Sequence, residues 1–406
     1  MPTPSNPAAM PRALVLLFAI ASGASVANVY YAQPLLDVLA REFHVPGAAV
    51  GGVVTATQLG SALALVCLVP LGDRVDRRCL MTWQLAALVV ALLAVAAAPG
   101  VPWLLAGMVA VGLLGTAMTQ GLIAYAASAA SPQQRGRVVG AAQSGVFVGL
   151  LLARVFAGMV GDIGGWRAVY LASAVAMAGI ALALRRRLPA TAAAAPAVGY
   201  GQLVGSLLTL LRRDRTLQVR GVLGMLMFAA FNIFWSALVL PLSAPPFSFS
   251  HTAIGAFGLV GAVGALAGAR AGRWADAGHA QRTTAGALLL MMAAWWPLSR
   301  LDGPHGLALL IVGIVLLDLG GQALHVTNQS LILRTRPDAH SRMISLYMLF
   351  YAAGSGLGAI VTTATYARAG WQGVCMIGFA VCLAALAFWA ATRRRGTAET
   401  EVASVA

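Results

Sequence analysis

The chain has 406 residues, of which 60% are hydrophobic and only 10% charged. A soluble domain carries about 25% charged residues, so this composition excludes a water-facing globule and makes the bilayer the solvent. The formal charge of +15 comes from 27 Arg and no Lys; these fall in small clusters between apolar runs, not along one stripe, which argues against a nucleic-acid partner and makes them topology markers.

The first apolar run follows Arg12 and passes Ser25-Val26-Ala27, which could end a secretory signal. It continues through Asn28-Val29-Tyr30-Tyr31 to Leu36, long enough to span, so a retained spanning helix is expected. Apolar windows place twelve spans at 13–34, 49–71, 80–98, 102–126, 138–160, 167–184, 220–242, 252–272, 283–299, 306–331, 341–366 and 371–391. With the N-terminus inside the cell, inner loops, tails and the cytoplasmic ends of spans hold 22 of the 27 Arg. The outer loops hold Arg41, Arg167, Arg300 and Arg368, and Arg154 is the one Arg placed away from the ends of a span. The positive-inside rule therefore puts both termini in the cytoplasm. Cys67, Cys79, Cys375 and Cys382 show no paired spacing; no disulfide framework or metal site is expected, and they read as small packing residues.

The only long connection, 185–218, holds the Pro189 to Pro196 alanine-rich stretch and the basic run Arg212-Arg213-Asp214-Arg215. Its charge makes it cytoplasmic, part linker and part short surface helix. The expected organisation is an N-terminal six-helix bundle over 1–188, a linker over 189–217 and a C-terminal six-helix bundle over 218–406. The two halves repeat at a nearly constant offset. Asp73 matches Asp276 at 203 residues, Pro132 and Arg137 match Pro337 and Arg342 at 205, Gly165-Trp166 matches Gly370-Trp371 at 205, and Arg185-Arg186-Arg187 matches Arg393-Arg394-Arg395 at 208. Each half has an even number of spans, so the repeat is parallel.

These residues resemble the major facilitator superfamily, and specifically its bacterial drug:proton antiporter-like branch with twelve spans. The family's loop between spans two and three reads roughly G-x-L-A-D-R-x-G-R-R. Here Val69-Pro70-Leu71-Gly72-Asp73-Arg74-Val75-Asp76-Arg77-Arg78 fits it with Val69 and Asp76 in place of the two glycines, and Gly272-Arg273-Trp274-Ala275-Asp276-Ala277-Gly278 is the related copy, with both. The resemblance implies an inner gate in which Asp73 caps the start of span eleven beside Arg74, Arg77, Arg78 and Arg342, with Asp276 as the second copy. A plain positive-inside loop is the other reading of the same residues. Ser131-Pro132-Gln133-Gln134-Arg135-Gly136-Arg137 resembles the family's R-G-R junction. Span five carries Gly145, Gly149, Gly158 and Gly161 where antiporters have a glycine-rich motif, although the usual Gly-Pro pair is missing and Arg154 stands within it. Small residues at four-residue spacing, Gly52, Ala56, Gly60 and Ala64 on span two and Gly264, Gly268 and Gly272 on span eight, mark close helix contacts. The resemblance assigns them to the interface between halves.

Among the 12 acidic residues only Asp318 falls deep within a span, where a charge needs a partner or a function. Gln322, His325 and Gln329 follow at i+4, i+7 and i+11 on the same helical face, a polar stripe about 16 Å long. Two readings stand: a cavity lining in which Asp318, His325 and Arg154 serve proton coupling, or an interhelical clasp with Asp318 paired to Arg154 or held by amides. In the family fold spans one, four, seven and ten surround the substrate path, which makes Asn28, Tyr31, Gln120, Asn232, Trp235, Gln322 and Gln329 substrate-cavity candidates; the aromatic ones could equally be interfacial anchors. No nucleotide-binding or hydrolase motif is visible, so no enzyme activity and no cofactor is expected. The resemblance implies a monomeric, multi-pass carrier of the bacterial inner membrane that binds a small molecule and protons. Proton-coupled efflux by alternating access is the expected function, with proton symport or facilitated import as the rival within the fold and a receptor or membrane enzyme as the rival outside it.

Overall fold

The computed structural model describes residues 10–73, 75–130, 134–188, 199–336 and 340–405, and all regular structure among them is helical. The first helix, α1 (Arg12–Ala27), stops where the Asn28 amide turns back onto the Ala24 carbonyl at 2.8 Å, a local bond that competes with the backbone ladder. A 3-10 turn containing Pro34 (Gln33–Leu35) leads into α2 (Leu36–Glu42). The first crossing is thus a broken helix that runs eight residues past its predicted end.

The next three crossings are α3 (Gly52–Leu63) with its π-helical extension Ala64–Leu68, α4 (Arg77–Ala96) and α5 (Val101–Ala129). Asp76 accepts a hydrogen bond from the Cys79 N–H at 2.7 Å and caps α4. That explains an acidic residue where the family loop has glycine: it satisfies one of the helix's free N–H groups.

Spans five and six form one 53-residue helix, α6 (Arg135–Arg187), interrupted at Gly165 with φ +76°. Spans eleven and twelve are likewise joined in α14 (His340–Val405), interrupted at Gly370 with φ +58°. A Cβ at either position would meet nothing within 4 Å, so the left-handed backbone, not lack of space, calls for glycine. These are the two glycines of the repeated Gly-Trp landmark. The indoles after them serve parallel ends: Trp166 donates to Glu42 and Trp371 donates to the Leu298 carbonyl at 2.7 Å. The repeat in sequence is therefore a repeat in structure.

The surface helix is α7 (Tyr200–Arg213). Its Leu207 joins an apolar cluster with Leu217, Ile332, Met343, Leu346 and Tyr347, while Leu208 is exposed, the two-faced habit of an interfacial helix. Tyr200 Oη donates to the Cys67 carbonyl at 2.8 Å, and Arg342 donates to the Ser206 hydroxyl at 3.2 Å. The Pro189 to Pro196 stretch lies outside the described residues. There follow α8 (Arg215–Ala237), α9 (Val239–Ser243), α10 (His251–Val260), α11 (Ala262–Trp274), α12 (Ala280–Leu298) and α13 (Gly306–Thr335). Among the described residues these make twelve crossings in two six-helix bundles.

The small-residue faces pack differently from expectation. A Cβ on Gly60 would overlap the Val109 carbonyl of α5, and Gly264 meets Asp318 and Gln322 of α13 while Gly268 and Gly272 meet Val326 of α13. These are contacts within each bundle, whereas Gly52 has nothing within 4 Å. The glycines between bundles are others: Gly51 against Ala359, Gly158 against the His251 carbonyl and Gly255 against the Arg154 carbonyl. Spacing of small residues signals close approach but not the identity of the partner. Cys375 and Cys382 are buried as expected, while Cys67 and Cys79 are exposed.

The bundles are stitched together at the end opposite the Arg-rich loops. Thr55 Oγ1 donates to the Gly356 carbonyl at 2.7 Å, Thr363 Oγ1 donates to the Ala48 carbonyl at 3.1 Å, and the Gly51 N–H donates to Thr363 Oγ1 at 3.2 Å. The Arg-poor end is sealed in this conformation.

Candidate functional site

Where the bundles meet, Arg154 of α6 donates to Gln33 Oε1 at 2.9 Å, and Gln33 Nε2 donates to Asn232 Oδ1 of α8 at 2.9 Å. Asn232 in turn donates to the Phe228 carbonyl at 3.2 Å. The amides of Gln33 and Asn232 thus have their orientations fixed by their neighbours. The guanidinium lies over the Trp235 ring at 4.1 Å and faces the Tyr30 ring at 5.7 Å, contacts worth about 2 kcal/mol each when desolvated. Three sequence candidates, Arg154, Asn232 and Trp235, thus come together, and Gln33, which joins them, was not among them. Its signal was faint: a single amide near the end of an apolar run.

Asp318 of α13 sits against the α10–α11 junction. Its carboxyl fits where Gly261 has no side chain, and Arg154 passes Gly258 one turn away on the same face of α10. No ion pair joins the two side chains, and Arg154 turns to Gln33 instead. Asp318 is buried, and its Oδ2 has no hydrogen-bond partner. The clasp of Arg154 on Asp318 is therefore not formed in this conformation.

The polar stripe below Asp318 divides between two neighbours. Gln322 follows Asp318 onto the glycine face of α11, near Gly264. His325 turns toward Tyr347, with Nδ1 3.1 Å from the hydroxyl, and stands edge-on to Phe228, which packs on Tyr351 at 4.1 Å. Gln329 is half-buried.

Arg220 corrects the view that Arg154 is the only basic group inside a span. It is 4% exposed and donates to Thr284 Oγ1 at 2.9 Å and to Asn328 Oδ1 at 3.4 Å. The Asp214 carboxylate caps α8 through the Leu217 N–H at 2.8 Å, so the helix begins five residues before the predicted span and carries Arg220 inward. Thr284→Val removes an acceptor from this buried cation. It is expected to lower stability by about 1.5–3 kcal/mol, read as a lower thermal unfolding midpoint of the purified protein.

Other candidates lie apart from this centre. Asn28 is fully buried, its Oδ1 accepting from Ser173 at 2.6 Å, inside the packing of the first bundle. Tyr31 packs on Phe156 and Tyr170. Gln120 lines a small recess with Leu68, Gly72, Arg77, Met81 and Gln84 at the Arg-rich end. In the gate loops the side chains of Asp73 and Asp276, and all of Arg74, lie outside the described residues. Arg77 donates to the carbonyls of Gly72 and Ala124, and Arg78 donates to that of Arg185. Arg342 reaches α7 through Ser206.

The family model described as Major Facilitator Superfamily matches residues 16–299 and 221–405. The chain is 41% identical over 377 residues to a protein described as putative uncharacterized transporter YgaY of Escherichia coli K12, covering 93% of this chain and 95% of that one. It is 32% identical to probable transporter SCO4007 of Streptomyces coelicolor, covering 92% and 86%. In fold it is similar to a bacterial homolog of the human lysosomal transporter Spinster, with a TM-score of 0.76 at 14% identity over 93% of this chain and 96% of that one. Its fold is also similar to that of the nucleoside transporter NupG, with a TM-score of 0.72 at 14% identity over 93% and 99%. The chain belongs to the Major Facilitator Superfamily, and is a multi-pass membrane transporter and not an enzyme.

Proposed function

We propose that this protein exports a small organic molecule in exchange for protons, by alternating access, as a monomer in the drug:proton antiporter-like branch. In this reading it lies in the bacterial inner membrane with both termini cytoplasmic. Bundles 1–188 and 218–406 rock about their shared interface, joined by the cytoplasmic linker 189–217. The observation that carries the reading is Asp318: a carboxyl buried between helices, near a cation yet not paired with it, able to take up and give back a proton without breaking an ion pair. Arg154 senses that change through space and passes it to Gln33, Asn232 and Trp235 across the bundle interface. His325 supports coupling, and Gln322, Gln329, Asn232 and Trp235 offer amides and a ring to an amphiphilic substrate. Asp73 with Arg74, Arg77, Arg78 and Arg342, and Asp276 in the second copy, form the cytoplasmic gate.

Everted membrane vesicles given dyes, antibiotics, sugars and amino acids test the direction and the energy source. Accumulation inside energised vesicles that collapses with a protonophore is the expected result. Uptake seen only in right-side-out vesicles would reverse the direction and favour symport.

A further inference from the structure

At the Arg-poor end His251, the residue just before the eighth predicted span, is held between two carboxylates. Its Nδ1 lies 3.0 Å from Asp162 Oδ1 and its Nε2 lies 3.0 Å from Asp37 Oδ1. Asp37 on α2 and Asp162, two residues beyond the fifth predicted span, belong to the first bundle; His251 opens α10 in the second. Asp162 also accepts from the His251 N–H at 3.0 Å, the Thr252 N–H at 2.8 Å and the Thr252 hydroxyl at 2.6 Å. A neutral imidazole has one N–H and one lone pair. With a carboxylate at each nitrogen, the neutral ring would aim its lone pair at an anion, and only the imidazolium donates on both sides.

We propose that His251 is a proton-binding latch: sealing the Arg-poor end loads a proton onto His251 from the solution on that side, and losing it frees Asp37 and Asp162 and lets that end open. The side chains are 16%, 9% and 26% exposed for His251, Asp37 and Asp162, so water reaches them while the contact stays tight. The local charges sum in favour of a proton. From α2 come Asp37 and Arg41, the latter 3.0 Å from Asp37, and from α6 comes Asp162, leaving one negative charge that an imidazolium cancels. Neighbouring Glu42 is taken up by Arg167 and Trp166. The 3-10 turn, α9 and residues 244–250 bring no ionisable side chain. On the elements packed against the other end of α10, Arg154 of α6 passes Gly258, Asp318 faces Gly261, and Arg270 and Arg273 lie in the last turns of α11.

The hydrogen bond to Asp37, then that carboxylate's charge and Asp162, hold the His251 pKa above its ordinary value despite partial burial. A group whose pKa is raised in the sealed form stabilises that form fully below its ordinary value, about 6.5, and stops doing so as pH climbs through the raised value. Acid on the outer face therefore favours the seal and alkali favours opening. The latch rests on the alternating-access reading but not on which residue carries the coupled proton.

The test needs no substrate. Spin labels at Ile163→Cys on α6 and Leu307→Cys on α13, both exposed, report the separation of the bundles in nanodiscs, with Cys67 and Cys79 changed to Ser. Pulsed EPR from about pH 5 to about pH 9 is expected to show a short distance giving way to a longer one with a midpoint above about 6.5. Asp162→Asn is expected to lower that midpoint by about one pH unit. His251→Gln is expected to abolish the pH response, and His251→Arg, a fixed cation, to hold the short distance throughout. A wild-type distance that ignores pH, or a His251→Gln midpoint equal to wild type, overturns the latch. If His251→Gln does not fold, the Asp162→Asn midpoint decides: unmoved, it overturns the latch. A pH-driven opening in a protein that moves no protons with substrate would support the latch and overturn only the coupling.

Discussion

Asp318→Asn is expected to yield a folded protein that no longer concentrates substrate. Asn has nearly the same shape and fits the same notch at Gly261. It removes a buried charge whose cost at the centre of a membrane helix is about 2.5–3.5 kcal/mol on insertion scales. Because Oδ2 has no hydrogen-bond partner to lose and the amide carries no charge, the substitution is expected to leave the thermal midpoint unchanged or to raise it. Gradient-driven accumulation in vesicles is expected to fall to the level of vesicles without the protein, while exchange of substrate down its own gradient persists. A variant that still accumulates substrate at the wild-type rate would remove Asp318 from the coupling.

The second large effect separates two kinds of glycine. A Cβ at Gly112 would overlap the Thr57 carbonyl inside the first bundle, and one at Gly255 would overlap the Arg154 carbonyl between bundles. Gly112→Val therefore strikes packing that never changes during transport. It is expected to cost about 1–3 kcal/mol or more and to lower folded yield. Gly255→Val leaves the interior of each bundle alone and wedges the Arg-poor end apart. The protein is expected to fold, stop transporting and expose the interface. Gln33→Cys, buried at 2% exposure in the sealed form, reports this: a membrane-impermeant maleimide applied from the outer face should label it faster in the Gly255→Val background than without that substitution. Equal labelling in both backgrounds would contradict the seal described above.

The sequence carried the architecture because the membrane imposes a coarse code. Runs of about 20 apolar residues, arginines on one side and the repeated Gly165-Trp166 and Gly370-Trp371 landmarks are all local signals, and the glycines of those landmarks prove to be the turning points of two long helices. Asp318 was legible for the same reason, since a lone acid in an apolar run stands out. The stitches between bundles were not. His251 lies 214 residues from Asp37 and 89 from Asp162, and each reads as an ordinary polar residue at the edge of a span until two bundles pack. Arg220 was hidden by hydropathy, which does not register that Asp214 starts the helix earlier. Gln33 looked like a span boundary, although its two-sided amide joins Arg154 to Asn232.

In the proposed exchange, substrate and protons move in opposite directions through one site. The most direct test is the pH inside energised everted vesicles, followed with an entrapped dye while each compound of the panel is added. Addition of a substrate is expected to raise the internal pH as protons leave in exchange, and the Asp318→Asn vesicles are expected to show no rise. Substrate accumulation without any movement of protons, or an unchanged rise in the Asp318→Asn vesicles, would rule out exchange through Asp318.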